Sequence, residues 1–205
     1  MPDRWLPEFY DIHKGQHAVL FGKGPSLDEW DLPKRDGEIW MAINEACRSQ
    51  PESDYHIMSD RKVLNNLKKS GWVPGSALVV SIGNAGGPKQ PRRRWPGHTI
   101  FYHKGDDRIH STGPTSGDAI QVLAAMGIRD ILMVGFDGYS KFPDHKAYAH
   151  SIGKLPYVEP QHPNEVIEEY RWIHGYIDRM IAKTSVTITL WHKNMKVIRH
   201  DRAFA

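Results

Sequence analysis

The chain has 205 residues, a formal net charge of +3 and 40% hydrophobic residues, which is the composition of one domain with a sizeable core. Its single cysteine, Cys47, excludes an intramolecular disulfide and a thiolate metal cluster, and with them the disulfide-stapled class of secreted domains. No apolar run approaches the roughly 18 residues of a membrane span, and the first residues lack the apolar core of a signal peptide. We therefore expect a single cytoplasmic domain over residues 1–205.

Short apolar runs alternate along the chain with longer helical segments. Most of the runs are nearly continuous hydrophobic stretches, a pattern typical of strands buried on both faces. Strands are predicted over residues 17–22, 38–44, 54–58, 77–83, 98–103 and 130–137. Helices are predicted over residues 59–71, 115–127 and 162–183. This alternation predicts a single Rossmann-like, doubly wound α/β domain with a mostly parallel sheet. A long loop at about 138–162, before the last helix, has the length of a functional lid.

The first predicted strand runs into the sequence Gly-Lys-Gly-Pro-Ser, residues 22–26. Ligands of open parallel sheets bind beyond the carboxyl ends of the strands. Gly22 and Gly24 would let the backbone approach a phosphate, and Pro25 and Ser26 suit a helix start whose free N–H groups attract an anion. Lys23 would add a positive charge. The third glycine of the dinucleotide-binding fingerprint is missing, so a tight turn with no ligand remains an alternative.

A second turn, rich in serine, threonine and glycine, precedes the small-residue helix at 115–127. That helix stops at Gly127 and is followed by a buried strand that ends at Asp137. Because carboxyl ends of parallel strands meet at one edge of a sheet, we expect Asp137 to reach the same crevice as the first turn. Capping of its own turn is the alternative role for this aspartate.

Taken together, the motifs "GKGPSL", "AIN" and "TSG…A…A…MG…I…VGFD" resemble the bacterial sialyltransferases of glycosyltransferase family 42. The same pattern is similar to a related group that includes archaeal-type 6-hydroxymethylpterin diphosphokinases. The matched segments fall between about residue 17 and residue 183. The resemblance implies a transferase that moves a sugar from a nucleotide sugar to a hydroxyl acceptor.

The resemblance also implies a nucleotide site and assigns its residues one position at a time. The positions that would hold the nucleotide are Gly22, Gly24, Asn44, Ser116 and Gly117. The family usually carries an asparagine between the two glycines, where this chain has Lys23.

The catalytic positions follow from the same resemblance. His162, shortly before the last helix, corresponds to the general base, and Asp137 to the aspartate that ends the strand. Tyr139 and Tyr148 are the nearest candidates to stabilise the leaving phosphate. Histidine suits the task because it titrates near neutral pH.

Two other functions stay open at this point. A diphosphokinase would transfer pyrophosphate from ATP with Mg²⁺ held by carboxylates, for which Asp60 and Asp137 are the candidates. A non-catalytic nucleotide-binding protein would use the same turn without the base. The glycosyltransferase interpretation requires no cofactor, and the sequence assigns no metal site. A basic run at residues 92–94 also permits an anionic polymer such as nucleic acid as the acceptor.

Overall fold

The computed structural model describes residues 4–81, 99–102, 108–109, 114–136, 149, 151, 175, 177–180, 182–191 and 198–200. Strands in this part of the chain join in one nine-stranded sheet with the order β1-β6-β5-β4-β3-β2-β7-β8-β9. Neighbouring strands are parallel from β1 through to β8, and β9 is antiparallel to β8. The strands are β1 (Arg4–Trp5), β2 (His17–Phe21), β3 (Glu38–Ile43), β4 (Tyr55–Met58), β5 (Ala77–Ser81), β6 (Thr99–Tyr102), β7 (Asp130–Val134), β8 (Thr187–Leu190) and β9 (Ile198–His200).

Short helices pack on both faces of this sheet. The α-helices with printed bounds are α1 (Arg61–Lys69) and α2 (Thr115–Ala125). Residues 177–180 and 182–184 are also helical and fall inside the predicted last helix. Short 3₁₀-helices form at Leu6–Phe9, Pro25–Glu29 and Asn44–Arg48. None of the helices in the described part of the chain is long and apolar enough to cross a membrane.

The predicted fold class is confirmed, because the sheet is mostly parallel and the six predicted strands form β2 to β7. Three further strands, β1, β8 and β9, were missed. The predicted helix after the glycine turn was wrong in type, since the structure has a single 3₁₀-helix of five residues there. It ends at Glu29, where the C-cap residue Trp30 has an extended backbone. Of the predicted lid loop, only residues 149 and 151 are described.

Alternate side chains of the central strands enter two separate hydrophobic cores. In β2, Ala18 and Leu20 belong to the core that contains α2, whereas Val19 and Phe21 belong to the core that contains α1. All four side chains are at most 2% exposed. Burial on both faces is the physical reason for the unbroken apolar runs in the sequence. Every residue of α2 is also buried, including the polar residues Asp118 and Gln121.

Strand order reverses between β2 and β7. From β2 the chain adds β3, β4, β5 and β6 on one side of the sheet, and it then returns to place β7 and β8 on the other. In open parallel sheets the ligand crevice lies at such a point, beyond the carboxyl ends of the strands. The glycine turn at residues 22–24 lies at this point.

Candidate functional site

Backbone hydrogen bonds join the segment that leaves β2 to the segment that leaves β7. Gly22 donates its N–H to the Val134 carbonyl at 2.7 Å, and Gly24 donates to the Gly135 carbonyl at 2.7 Å. Gly135 in turn donates its N–H to the hydroxyl of Ser26 at 3.0 Å. These contacts join the exits of β2 and β7 at the carboxyl edge of the sheet.

Gly22 is a glycine because the two segments touch. A Cβ atom at this position would lie 2.5 Å from the Gly135 carbonyl oxygen and 2.9 Å from the Phe136 ring. Gly135 itself has a φ of +77°, a conformation that favours glycine. The structure thus gives Gly22 a packing role, whereas the sequence pattern suggested close approach of a ligand. Gly24 has a φ of −66°, which any residue can adopt.

Pro25 and Ser26 begin the 3₁₀-helix that follows the turn. Pro25 takes its first position, as the sequence predicted, with Gly24 as the N-cap. Ser26 has no exposed surface, and its hydroxyl is engaged by Gly135. These contacts make Ser26 a residue that joins two strand ends.

Lys23 is paired with a buried acid that the sequence analysis did not single out. Its ammonium lies 3.2 Å from the carboxylate oxygen Oε2 of Glu45, and the two side chains are 18% and 1% exposed. Glu45 is the second residue of the 3₁₀-helix after β3, the strand next to β2. The Lys23 carbonyl also accepts the N–H of Ala149 at 2.8 Å. Sequence reveals no signal for this pair, because it forms between two chain segments.

Asn44 lies at the carboxyl end of β3 in an unusual conformation. Its φ is +51°, in the left-handed region that asparagine tolerates better than most residues. Its side-chain oxygen Oδ1 is buried and has no hydrogen-bond partner among the described residues. A strained backbone and an unpaired buried acceptor are features that cluster at functional sites.

The start of α2 is tied to the end of β4 through two hydroxyl groups. Ser59, just after β4, and Thr115, the first residue of α2, place their oxygens 2.5 Å apart. Ser116 is 5% exposed, and the N–H of Gly117 is bonded to the Pro114 carbonyl at 2.9 Å. The second predicted turn is therefore held at the same edge of the sheet as the first.

Asp60 performs a local task in the structure. Its carboxylate accepts the N–H of Lys62 at 2.7 Å, so it caps α1, and the residue is exposed. From the sequence, Asp60 was a candidate Mg²⁺ ligand, and the structure shows its carboxylate in a capping bond.

The predicted catalytic residues Asp137, Tyr139, Tyr148 and His162 lie outside the described residues. Among the described residues, no group of three or more histidine, cysteine, aspartate or glutamate side chains is placed to hold a metal ion. In the described part of the chain, the carboxyl edge of the sheet carries the paired ammonium of Lys23, the unpaired side-chain oxygen of Asn44 and several hydroxyl groups. Such a set can hold the polar parts of a ligand with a phosphate group.

The fold is similar to that of solved bacterial sialyltransferases. A CST-II variant in complex with CMP superposes with a TM-score of 0.51 at 10% identity, covering 91% of this chain and 92% of that one. CstII from Campylobacter jejuni, in complex with the substrate analogue cytidine-5'-monophosphate, gives a TM-score of 0.50 at 12% identity over 92% and 91% of the two chains. No family model matches the sequence, and no curated protein matches it either.

The chain has a sialyltransferase-like fold. At 10–12% identity this likeness concerns architecture, which here means a Rossmann-like parallel sheet covered on both faces. It supports the fold that the sequence motifs implied.

Proposed function

We propose that this chain is a transferase that binds a nucleotide-activated donor at the crevice between β2 and β7. In the form that the sequence motifs favour, it moves a sugar from a nucleotide sugar to a hydroxyl acceptor. The acceptor is a sugar or another hydroxyl compound, and an anionic polymer is compatible with the basic run at residues 92–94.

One observation carries this proposal. The glycine turn that was singled out from sequence lies where the strand order reverses, at the edge where open parallel sheets bind ligands. Asn44, with its unpaired buried oxygen, lies at the end of the strand next to β2. Solved proteins of similar fold were crystallised with CMP, which supports a nucleotide as the ligand class.

The chemistry requires a base for the acceptor hydroxyl and a group that stabilises the departing phosphate. We assign the base to His162 and the stabilising hydroxyl groups to Tyr139 and Tyr148, on the sequence resemblance alone. Asp137 follows β7 after two residues and is assigned to the same crevice. This reaction uses no metal, whereas the diphosphokinase alternative would need Mg²⁺ on a triphosphate.

A thermal-unfolding screen with CMP, UDP, GDP, ADP and ATP, each with and without Mg²⁺, tests the proposal. A ligand at about a hundred times its dissociation constant stabilises the folded state by about 2.7 kcal/mol. We expect a mono- or diphosphate to stabilise the chain without metal. Stabilisation by ATP and Mg²⁺ alone would favour the diphosphokinase, and no shift with any nucleotide would overturn the nucleotide site.

A second experiment separates an enzyme from a binding protein. His162→Ala should abolish sugar transfer or donor hydrolysis while the nucleotide found in the screen still binds, because a general base acts on the acceptor. His17→Ala, at a side chain 73% exposed on the opposite edge of the sheet, is the matched control. Turnover unchanged in His162→Ala would contradict the assignment of the base.

A further inference from the structure

The crevice contains a buried negative charge that a phosphate-binding site does not need. Glu45 is 1% exposed, and its carboxylate lies 3.2 Å from the Lys23 ammonium. Each residue is the second after the end of a strand, Lys23 after β2 and Glu45 after the neighbouring parallel strand β3, so the pair lies at the carboxyl edge of the sheet. A positive side chain alone would bind an anion more tightly than a pair does.

Burial shows which member of the pair a ligand meets. The Lys23 side chain keeps 18% of its surface exposed, against 1% for Glu45. An anion that arrives from solvent therefore meets the lysine side chain before the carboxylate. Removing the lysine would take a cation away from a buried carboxylate, which is unfavourable.

The lysine is held in place at its main chain as well. The flanking glycines donate their N–H groups to Val134 and Gly135, and the Lys23 carbonyl accepts the N–H of Ala149. Since the backbone on both sides of Lys23 is bonded, its side chain starts from a fixed point beside Glu45. A phosphate that binds the ammonium in this position shares the lysine with the carboxylate.

The distances bring the carboxylate within electrostatic reach of a bound ligand. A phosphate oxygen that meets the ammonium at hydrogen-bond distance, about 3 Å, lies at most about 6 Å from Oε2, because the ammonium is 3.2 Å from that oxygen. Salt in solution screens charges over about 8–10 Å, and it screens buried charges less. The carboxylate therefore repels each additional phosphate of a longer chain, whereas the lysine neutralises only one.

We infer that Glu45 is a specificity-determining residue that limits the negative charge of the ligand at Lys23. The inference rests on the proposed function, since it assumes that an anion binds at this crevice. It assigns to Glu45 the loss of the affinity that further phosphates would otherwise add, so that the wild type does not prefer di- and triphosphates to ligands with one phosphate. Glu45 acts through charge and through its hold on Lys23.

The test compares inorganic phosphate, pyrophosphate and tripolyphosphate, without Mg²⁺, because these anions need no base recognition. Dissociation constants are measured by thermal shift and isothermal titration for the wild type and for Glu45→Gln, which removes the charge and keeps the shape. We expect the wild type to bind phosphate, pyrophosphate and tripolyphosphate with about equal affinity. In Glu45→Gln we expect a gain of about threefold for phosphate and of tenfold or more for tripolyphosphate.

Glu52→Gln is the matched control, because it makes the same chemical change at an exposed residue before β4. It should reproduce the wild-type series and so account for non-specific attraction to the net positive charge of the chain. The double variant Lys23→Met/Glu45→Gln removes both charges without leaving either one unpaired. It should fold and lose at least tenfold in affinity for all three anions.

The outcomes separate this inference from the proposed function. A wild-type affinity that climbs tenfold with each phosphate, or an equal gain for all three anions in Glu45→Gln, overturns the role of Glu45 alone. The first of these outcomes needs only the wild-type affinities, so it can be measured even if Glu45→Gln is unstable. If neither these anions nor any nucleotide of the screen binds, both the inference and the nucleotide site fail.

Discussion

Ser26 and Gly135, which are 109 positions apart in the sequence, share a buried hydrogen bond in which the Gly135 N–H donates to the Ser26 hydroxyl at 3.0 Å. Ser26 has no exposed surface. Without the hydroxyl, the buried N–H of Gly135 would lose its acceptor. The bond therefore joins the exits of the two strands that flank the crevice.

We expect Ser26→Ala to lower the free energy of unfolding by about 1–3 kcal/mol, the cost of an unsatisfied buried donor. Urea denaturation at neutral pH measures this change. Ser151→Ala, which removes a hydroxyl at an exposed residue, should cost less than about 0.5 kcal/mol. If the two variants were equally stable, the hydrogen bond would not join the strand exits as described.

Gly22→Ala tests the close contact between the same two segments. The added Cβ would lie 2.5 Å from the Gly135 carbonyl oxygen, a distance at which backbone has to move. We expect a loss of about 1–3 kcal/mol of stability, as for overpacking in a close-packed interior, together with weaker nucleotide binding. Thermal unfolding with and without nucleotide measures both effects.

The matched control for this substitution is Gly75→Ala. A Cβ at Gly75 meets only the Pro51 carbonyl oxygen at 3.5 Å, which is ordinary contact. This variant should keep the wild-type midpoint within a few degrees. Equal behaviour of the two alanine variants would show that the segments do not touch at Gly22.

His56 gives the chain a sensitivity to acid. The residue is fully buried in β4, its ring lies edge-on to Trp72, and neither ring nitrogen has a partner among the described residues. Burial lowers the pKa of His56 from 6.5 to about 4. The unfolded chain therefore takes up this proton first as the pH falls, so stability is lost between about pH 6.5 and pH 4. The full loss is about 3 kcal/mol.

His56→Leu should remove this part of the pH dependence. Urea denaturation of the wild type and the variant at pH 8, 6.5 and 5 measures it, and the wild type should lose more stability over that range. His17→Gln, at an exposed histidine, should follow the wild type. Identical pH profiles for the wild type and His56→Leu would mean that the folded state accommodates the charged ring.

The fold was predictable from the sequence because both faces of the central strands are buried. Continuous apolar runs indicate such strands, and the six predicted strands correspond to β2 to β7. The strand β8, with the sequence Thr-Ile-Thr-Leu, alternates apolar and polar residues and was overlooked although its β-branched residues favour a strand. The two-residue strand β1 offers no pattern long enough to detect.

The crevice was only partly predictable, for physical reasons that differ between residues. The glycine turn and Asn44 follow strands directly, so local sequence places them at the carboxyl edge. The Lys23–Glu45 pair depends on two segments that meet only in the folded sheet. Burial of Glu45 and the missing partners of His56 are tertiary properties, because hydropathy alone predicts both side chains to be solvated or bonded.

Asn44 is the residue at which binding and stability should separate most clearly. Its buried Oδ1 has no partner among the described residues, so an alanine there removes an unsatisfied acceptor and gives up no hydrogen bond of that oxygen. The φ of +51° costs alanine about 1 kcal/mol relative to asparagine or glycine.

If a nucleotide donor supplies the missing hydrogen bond, Asn44→Ala should weaken its binding about tenfold while stability changes by about 1 kcal/mol at most. Asn44→Gly relieves the backbone cost and should show the same loss of binding, as measured by titration calorimetry. Wild-type affinity in both variants would place the nucleotide away from Asn44 and require a different ligand at the end of β3.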